Sequence, residues 1–166
     1  MKSKNYNVLS LFSGAGGLDL GFENKGFNHL ECVEIDENCI NTLKNNRPNW
    51  NITQEDITTY VPRHENIDVL IGGPPCQGFS LGGKRDPNDP RNRLFLEMIR
   101  VAKETNPRVV VIENVLNLRT MEAPWSGKHF IEEISEQFES LGYSVFFDVF
   151  RVCYFGVPQT RRRFIF

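Results

Sequence analysis

One cysteine of this chain occupies a position at which its sulfur could act as a nucleophile. Cys76 lies in the segment PPCQGFS, directly after a short apolar run. Pro74 and Pro75 restrict the backbone that leads to the sulfur, and a position just past a strand keeps the side chain within reach. A thiolate is an intrinsically strong nucleophile that suits covalent catalysis. We therefore predict a nucleophilic role for Cys76, whereas Cys32 lies inside an apolar run and is expected to be structural.

Two further segments carry groups for proton transfer and anion binding. Glu113 follows the apolar run RVVVI, and burial there would raise its pKa and make it a proton donor. The alternative is that Glu113 and Asn114 cap a helix. Arg161 and Arg163 lie on one face of an extended segment, where two guanidinium groups suit a phosphate or a base carbonyl. A solvated basic strand end is the alternative.

A glycine-rich turn, SGAGG, follows the first apolar run. Glu34 comes 20 residues after Gly14 and could accept hydrogen bonds from ribose hydroxyls. Asp19 occupies the position of the third glycine of a dinucleotide-binding motif, where an acid would repel a pyrophosphate. This favours a cofactor without phosphates, such as S-adenosylmethionine. Asp56 could accept from an adenine amino group, or it could be a solvent-facing acid in a turn.

Strands that alternate with helices must position these groups, and this order predicts an α/β fold with a doubly wound, mostly parallel sheet. In such sheets ligands bind beyond the carboxyl ends of the strands, where the segments above lie. The predicted strands are Asn7–Phe12, His29–Ile35, a short strand before Asp56, Ile67–Ile71, Arg108–Ile112, Tyr143–Val149 and Arg163–Phe166. The predicted helices are Leu18–Asn24, Glu37–Asn45 with Asp36 as N-cap, Asn92–Thr105 and Lys128–Leu141. The loop Gly78–Arg91 is predicted to be a mobile lid or, alternatively, a disordered connection.

Composition bounds the remaining possibilities. The 166 residues are 40% apolar and 24% charged with a net charge of −2, which is typical of one globular domain. No apolar stretch is long enough for a membrane span, and the start does not resemble a signal peptide, so we expect a cytoplasmic protein without a membrane partner. The four arginines from residue 151 onward favour local contact with an anion. The cysteines and three histidines show no ligand spacing, so no metal is expected.

Taken together, the segments FSGAGGLDLGF, VEID, EDI, GGPPCQGFS, ENV and QTRRR resemble the DNA (cytosine-5)-methyltransferases. The resemblance runs from Val8 to the end of the chain and keeps the order of the family's motifs. It implies a Rossmann-like methyltransferase fold over residues 1–166, as one partial catalytic and cofactor-binding domain. It also implies that Gly78–Arg91 is the family's mobile catalytic loop.

The resemblance further implies S-adenosyl-L-methionine as methyl donor, S-adenosyl-L-homocysteine as product, and double-stranded DNA as substrate, without a metal. Cys76 would attack C6 of a flipped-out cytosine, Glu113 would protonate N3, Arg163 would hold O2, and Arg161 would organise the loop and a phosphate. Glu34 would hold the ribose, Ile35 would pack on the adenine and Asp56 would contact its amino group. The remaining cofactor contacts would come from Phe12, Gly14, Gly16 and Pro74.

The family pattern continues beyond QTRRR into a target-recognition region and two more motifs, so the fold is expected to be incomplete at its C-terminus. We therefore expect a second subunit or a missing C-terminal segment, an incomplete cofactor pocket in the isolated chain, and a restriction-modification setting. Three other hypotheses stay open. One is a tRNA cytosine-5 methyltransferase, one is a non-catalytic remnant that binds cofactor or a partner, and the most remote is a dinucleotide-dependent oxidoreductase.

Overall fold

The computed structural model describes residues 5–75, 90–123 and 126–166. Its strands are β1 (Asn7–Leu11), β2 (Asn28–Glu34), β3 (Ile52–Gln54), β4 (Val69–Gly72), β5 (Val109–Asn114), β6 (Asp148–Arg151) and β7 (Arg162–Ile165). Its α-helices are α1 (Gly17–Glu23), α2 (Glu37–Asn46), α3 (Phe95–Thr105) and α4 (Phe130–Ser140), and short 3-10 turns cover Pro90–Arg93, Leu116–Arg119 and Val152–Phe155. None of the helices in these ranges has the length and apolar character that a membrane crossing requires.

The strands form one sheet in the order β3-β2-β1-β4-β5-β7-β6. The pairs β1–β2, β1–β4 and β2–β3 are parallel, whereas β7 runs antiparallel to β5 and to β6. Every residue of β4 is buried, as expected for a parallel strand that is covered on both faces. The predicted fold class, a mostly parallel α/β sheet of the Rossmann-like type, is confirmed.

The chain divides into two compact units, and the first comprises residues 1–73 with 100–111. Its core is built on β1 and β4, where Leu9, Leu70 and Ile71 are fully buried. The predicted N-cap of α2 is confirmed, because the Asp36 carboxylate accepts a hydrogen bond of 3.0 Å from the backbone N–H of Cys39. This bond holds the pKa of Asp36 below its usual value.

The second unit comprises residues 74–99 and 112–166. One face of α4 supplies its core, with Phe130, Ile134 and Phe138 buried at helical spacing. Phe95 meets Phe130 edge-on, with ring centroids 5.7 Å apart. Phe164 of β7 is fully buried. This unit therefore has an apolar core of its own.

Element boundaries differ from the sequence prediction chiefly at the C-terminal end. The strand predicted over Tyr143–Val149 is observed at Asp148–Arg151 instead, so this prediction is wrong for residues 143–147. An apolar run alone cannot locate a strand, because the pairing partner β7 decides which residues join the ladder. Most of the predicted loop Gly78–Arg91 lies outside the described residues.

Candidate functional site

The turn after β1 passes through the left-handed region of backbone conformation three times. Phe12, Gly14 and Gly16 have φ angles of 54°, 55° and 84°. A phenylalanine seldom adopts such a conformation, and it does so here directly after β1, whose last four residues are buried. The backbone N–H of Ser13 donates to the carbonyl of Val33, at 3.2 Å, and attaches the turn to β2. The turn is therefore held by a backbone contact with the neighbouring strand.

The Glu34 carboxylate lies against this turn. One oxygen accepts from the backbone N–H of Gly14 at 2.7 Å, and the other accepts from Ile35 and Asp36 at 2.8 and 2.9 Å. Three N–H donors thus fix the orientation of the carboxylate at the carboxyl end of β2. The prediction that Glu34 and the glycine turn form one site is consistent with this arrangement, because the two are in direct contact.

Ile35 and Asp56 are both exposed in the first unit. Ile35 is 59% exposed. Asp56 is also exposed, and its Oδ1 accepts from the backbone N–H and the hydroxyl of Thr58 at 2.9 and 2.8 Å. The backbone bond lowers the pKa of Asp56. Asp56 therefore caps its own turn, as the alternative predicted, and its contact with adenine stays a prediction.

Gly16 and Asp19 serve packing within the first unit. A Cβ atom on Gly16 would lie 2.7 Å from Cδ2 of Leu43, so a glycine is needed here for close approach to α2. The structure does not support the argument that Asp19 would repel a pyrophosphate. Its side chain is fully buried and accepts from the thiol of Cys32 at 3.4 Å. Asp19 consequently says nothing about phosphates in a cofactor, while the expected burial of Cys32 is confirmed.

In the second unit, Asn114 holds the segment that leads to the predicted nucleophile. Its side-chain amide donates to the carbonyl of Pro74 at 3.2 Å, and its oxygen accepts from Val115 N–H at 2.8 Å. Cys76 itself lies outside the described residues. Asn114 was predicted only as part of a helix cap with Glu113, although an amide at the end of a buried strand needs partners and was therefore a usable signal.

Glu113 and Arg163 form an ion pair in this same unit. The Nε atom of Arg163 lies 2.5 Å from Oε1 of Glu113, and both side chains are partly buried. Strand register explains the pairing: Glu113 is opposite Ile165, so Arg163 is its diagonal neighbour on the same face of the antiparallel ladder. A carboxylate and a guanidinium predicted from separate segments are thus brought together.

Arg161 lies just before β7, and its side chain is exposed. Its carbonyl accepts from the backbone N–H of Val152 at 3.0 Å, which closes the stretch between β6 and β7. The predicted role of Arg161 at a phosphate stays a prediction.

Comparison with known proteins identifies the class to which this fold and these residues belong. Residues 6–166 match the family model of the C-5 cytosine-specific DNA methylases, and the chain belongs to this family. It is 46% identical over 168 residues to the Type II methyltransferase M1.HphI of Haemophilus parahaemolyticus, covering 95% of this chain and 44% of that protein. It is 41% identical over 165 residues to M.DdeI of Desulfomicrobium norvegicum, covering 96% of this chain and 40% of that protein.

A solved structure supports the same assignment. The crystal structure of a DNA modification methyltransferase encoded within an Escherichia coli prophage matches with a TM-score of 0.80 and 33% identity. The match covers 97% of this chain and 45% of that one. The chain thus spans less than half the length of these three similar proteins.

Proposed function

We propose that this chain carries the cofactor-binding and catalytic residues of an enzyme that transfers a methyl group from S-adenosyl-L-methionine to C5 of cytosine in DNA. The observation that carries the proposal is the family match over residues 6–166, which includes all of the motifs discussed above. The similar proteins named as Type II methyltransferases favour a restriction-modification setting in a bacterial cytoplasm.

The residues around the glycine turn fit an adenosyl cofactor. Glu34 is a carboxylate held in place by three N–H donors, and its Oε2 atom, which accepts only one of them, retains a lone pair that can accept from a ribose hydroxyl. The neighbouring Ile35 offers an exposed apolar surface against which an adenine ring can pack. Phe12, Gly14, Gly16, Asp56 and Pro74 complete the proposed contacts. When bound, the cofactor supplies an electrophilic methyl group on a sulfonium.

Cys76 is the proposed nucleophile. Its thiolate adds to C6 of the cytosine, which makes C5 nucleophilic toward the methyl group. Loss of the C5 proton then allows the sulfur to leave and restores the aromatic ring. The cytosine must be flipped out of the duplex, because the stacked bases cover both faces of its ring. Asn114, through its bond to the Pro74 carbonyl, orients the backbone that leads to this cysteine.

Glu113 and Arg163 are the proposed partners of the polar edge of the base. N3 and O2 of cytosine are both bonded to C2 and lie side by side on one edge of the base, so the groups that contact them must themselves be neighbours. The 2.5 Å contact between the two side chains meets this requirement. Glu113 would protonate N3 while sulfur adds to C6, and Arg163 would hold O2 and orient the carboxyl group. Arg161 would contact a phosphate beside the site.

Sequence-specific reading of DNA would come from a second subunit or a further segment of the protein. The similar proteins are more than twice as long as the region matched here, which leaves room for a recognition region in them. The substrate of the complete assembly would be double-stranded DNA.

Trapping of the covalent adduct tests the nucleophile. DNA that contains 5-fluorocytosine cannot lose a proton from C5, so the complete enzyme should remain attached after methyl transfer. Cys76→Ser should abolish the adduct, whereas the matched control Cys153→Ser, an exposed cysteine of the same unit, should retain it. An undiminished adduct in Cys76→Ser would refute the assignment. Methyl transfer measured side by side on duplex DNA and on tRNA would separate the two nucleic-acid substrates.

A further inference from the structure

Three side chains with metal-binding chemistry meet between α1 and β2, away from the groups proposed for methyl transfer. They are Asp19 in the first turn of α1, and His29 and Cys32 on β2. One atom from each lies within 4.8 Å of the other two. The ring of His29 also stacks on Trp50, with centroids 4.6 Å apart and planes 11° from parallel, which holds the imidazole in one orientation.

A bulge in β2 brings the two strand residues to one face. Residues three apart on a regular strand point to opposite faces of the sheet. Here Val8 pairs with His29 and Leu9 pairs with Glu31, so Leu30 is an extra residue in β2 relative to β1. The extra residue places the side chains of His29 and Cys32 on the same face of the sheet. No metal was expected from the sequence because this spacing matches no ligand pattern, and the bulge explains why the spacing concealed the cluster.

The distances suit a small tetrahedral ion. The Sγ atom of Cys32 lies 3.4 Å from Oδ1 of Asp19, and Nε2 of His29 lies 3.5 Å from the same oxygen. Bonds of about 2.0 to 2.3 Å in a tetrahedral arrangement place ligand atoms roughly 3.3 to 3.8 Å apart. Two of the three pairs already have the separation that coordination requires.

Two of the polar atoms are buried without a partner among the described residues. They are Oδ2 of Asp19 and Nε2 of His29, on side chains that are only 1% and 3% exposed. The contact between His29 and Asp19 falls within ion-pair distance but does not have hydrogen-bond geometry. Buried polar atoms without partners are costly, so a group that satisfies both is expected at this point.

We propose that Asp19, His29 and Cys32 bind a divalent ion of the zinc class. A carboxylate oxygen, an imidazole nitrogen and a thiolate sulfur are the ligands that zinc accepts, whereas magnesium and calcium prefer oxygen alone. Three protein ligands leave one of four positions for a water molecule. The ion would tie α1 to β2 behind the glycine turn, independently of the proposed function.

Binding would release one proton. Burial, reinforced by the nearby Asp19 carboxylate, raises the pKa of the Cys32 thiol, so the metal-free site holds S–H. The metal–sulfur bond would replace the sulfur–hydrogen bond, and the proton would leave to solvent.

Cobalt substitution tests the proposal in the purified full chain. Co²⁺ added to metal-free protein should bind one per chain and produce thiolate-to-cobalt charge-transfer absorption together with the intense visible bands of tetrahedral cobalt. Zn²⁺ should displace it. Cys32→Ala should lose the charge-transfer band, and His29→Phe, which keeps the stack on Trp50, should weaken binding by at least about tenfold. The control Cys39→Ala alters a half-buried cysteine on α2 outside the cluster and should match the parent.

Circular dichroism would first establish that each variant is folded. Zn²⁺ should raise the melting temperature of the parent and of Cys39→Ala, and it should raise that of His29→Phe much less. Absence of thiolate charge transfer in the folded parent, or its persistence in folded Cys32→Ala, would overturn the proposal. If Cys32→Ala does not fold, an unchanged cobalt affinity in His29→Phe would by itself overturn the proposal. If hydrogen bonds alone hold the three side chains together, neither the cobalt bands nor a zinc-dependent shift in melting temperature should appear. This result would also overturn the proposal.

Discussion

In the first unit even charged groups are buried with partners, whereas the second unit leaves large aromatic groups in solvent. Glu31 is 2% exposed, and it accepts from the Tyr60 hydroxyl at 2.8 Å and from Arg63 at 3.1 Å. In the second unit, Phe146 is 80% exposed and Tyr154 is 75% exposed. Around Glu31 the first unit therefore satisfies a buried charge with internal partners, while the stretch around β6 exposes large aromatic side chains.

The difference shows that one short chain can position two sets of proposed site residues in different ways. The glycine turn and Glu34 are fixed by backbone N–H donors and a packed core. Glu113 and Arg163 are fixed by strand pairing, in the unit that also exposes Phe146 and Tyr154. The following predictions test that contrast, beginning with the largest expected effect.

Removal of the buried carboxylate should cost the most stability. Glu31→Ala leaves the buried Tyr60 hydroxyl without its acceptor and should lower the free energy of unfolding by about 3 kcal/mol. Urea denaturation measures the change. Glu55→Ala, which removes the other carboxylate paired with Arg63 near the surface, should cost less than about 1 kcal/mol. Equal effects of the two variants would show that the first unit does not depend on buried polar pairing.

Gly16→Ala should be the next most damaging change. It places a side chain on a residue with a φ of 84° and a Cβ 2.7 Å from the buried Leu43, at a cost of about 2 kcal/mol. The control Gly21→Ala adds a methyl group to α1 where nothing lies within 4 Å, and it should be neutral or slightly stabilising. Thermal melts of the two variants provide the comparison. If Gly16→Ala left the melting temperature unchanged, the conclusion that this position requires a glycine would be wrong.

In the second unit, replacing exposed aromatic groups should change association rather than stability. The double variant Phe146→Ser with Tyr154→Ser should alter the free energy of unfolding by less than about 0.5 kcal/mol, because both side chains are mostly solvated. It should reduce self-association of the isolated chain, as measured by sedimentation velocity. A loss of stability comparable to that of Glu31→Ala would mean that these rings pack in solution, and the contrast between the units would fail.

The smallest predicted effect depends on pH. The hydrogen bond from Arg47, supported by one from Trp50, holds the pKa of Glu23 below its usual value. A carboxylate with a lowered folded-state pKa stabilises the protein above its unfolded pKa, near 4.3, and loses this contribution as the pH falls through the folded value. Glu23→Gln should therefore cost less than about 1 kcal/mol near neutral pH and still less at about pH 3. Urea midpoints at both pH values measure the difference. If the loss of stability in Glu23→Gln were larger at about pH 3 than near neutral pH, the stated direction of the Glu23 pKa shift would be wrong.

Local sequence predicted the local structure well. The cap of α2 by Asp36 was predictable because capping joins residues three apart, and the burial of Cys32 followed from the apolar residues around it. The apolar runs also located six of the seven strands approximately. Such features depend on neighbours along the chain, which the sequence displays directly.

Contacts between distant residues were harder to predict. Asp19 was expected to lie where it would repel a pyrophosphate, yet α1 turns it inward against Cys32 and His29. Asn114 was not expected to hold Pro74, 40 residues away. Both contacts depend on how elements pack, so residue type could indicate that these buried polar groups need partners but not which partners they find.

What the sequence determined by itself is the chemistry that this chain can offer: an ordered set of motifs, a carboxylate after β2, a cysteine after two prolines, and two arginines near the end. Tertiary structure alone decided which of these groups meet. One extra residue in β2 reverses the face of every side chain beyond it, and the register of β5 on β7 selects Arg163 as the partner of Glu113. Side-chain facing has a period of only two residues, so such small shifts in pairing decide the contacts.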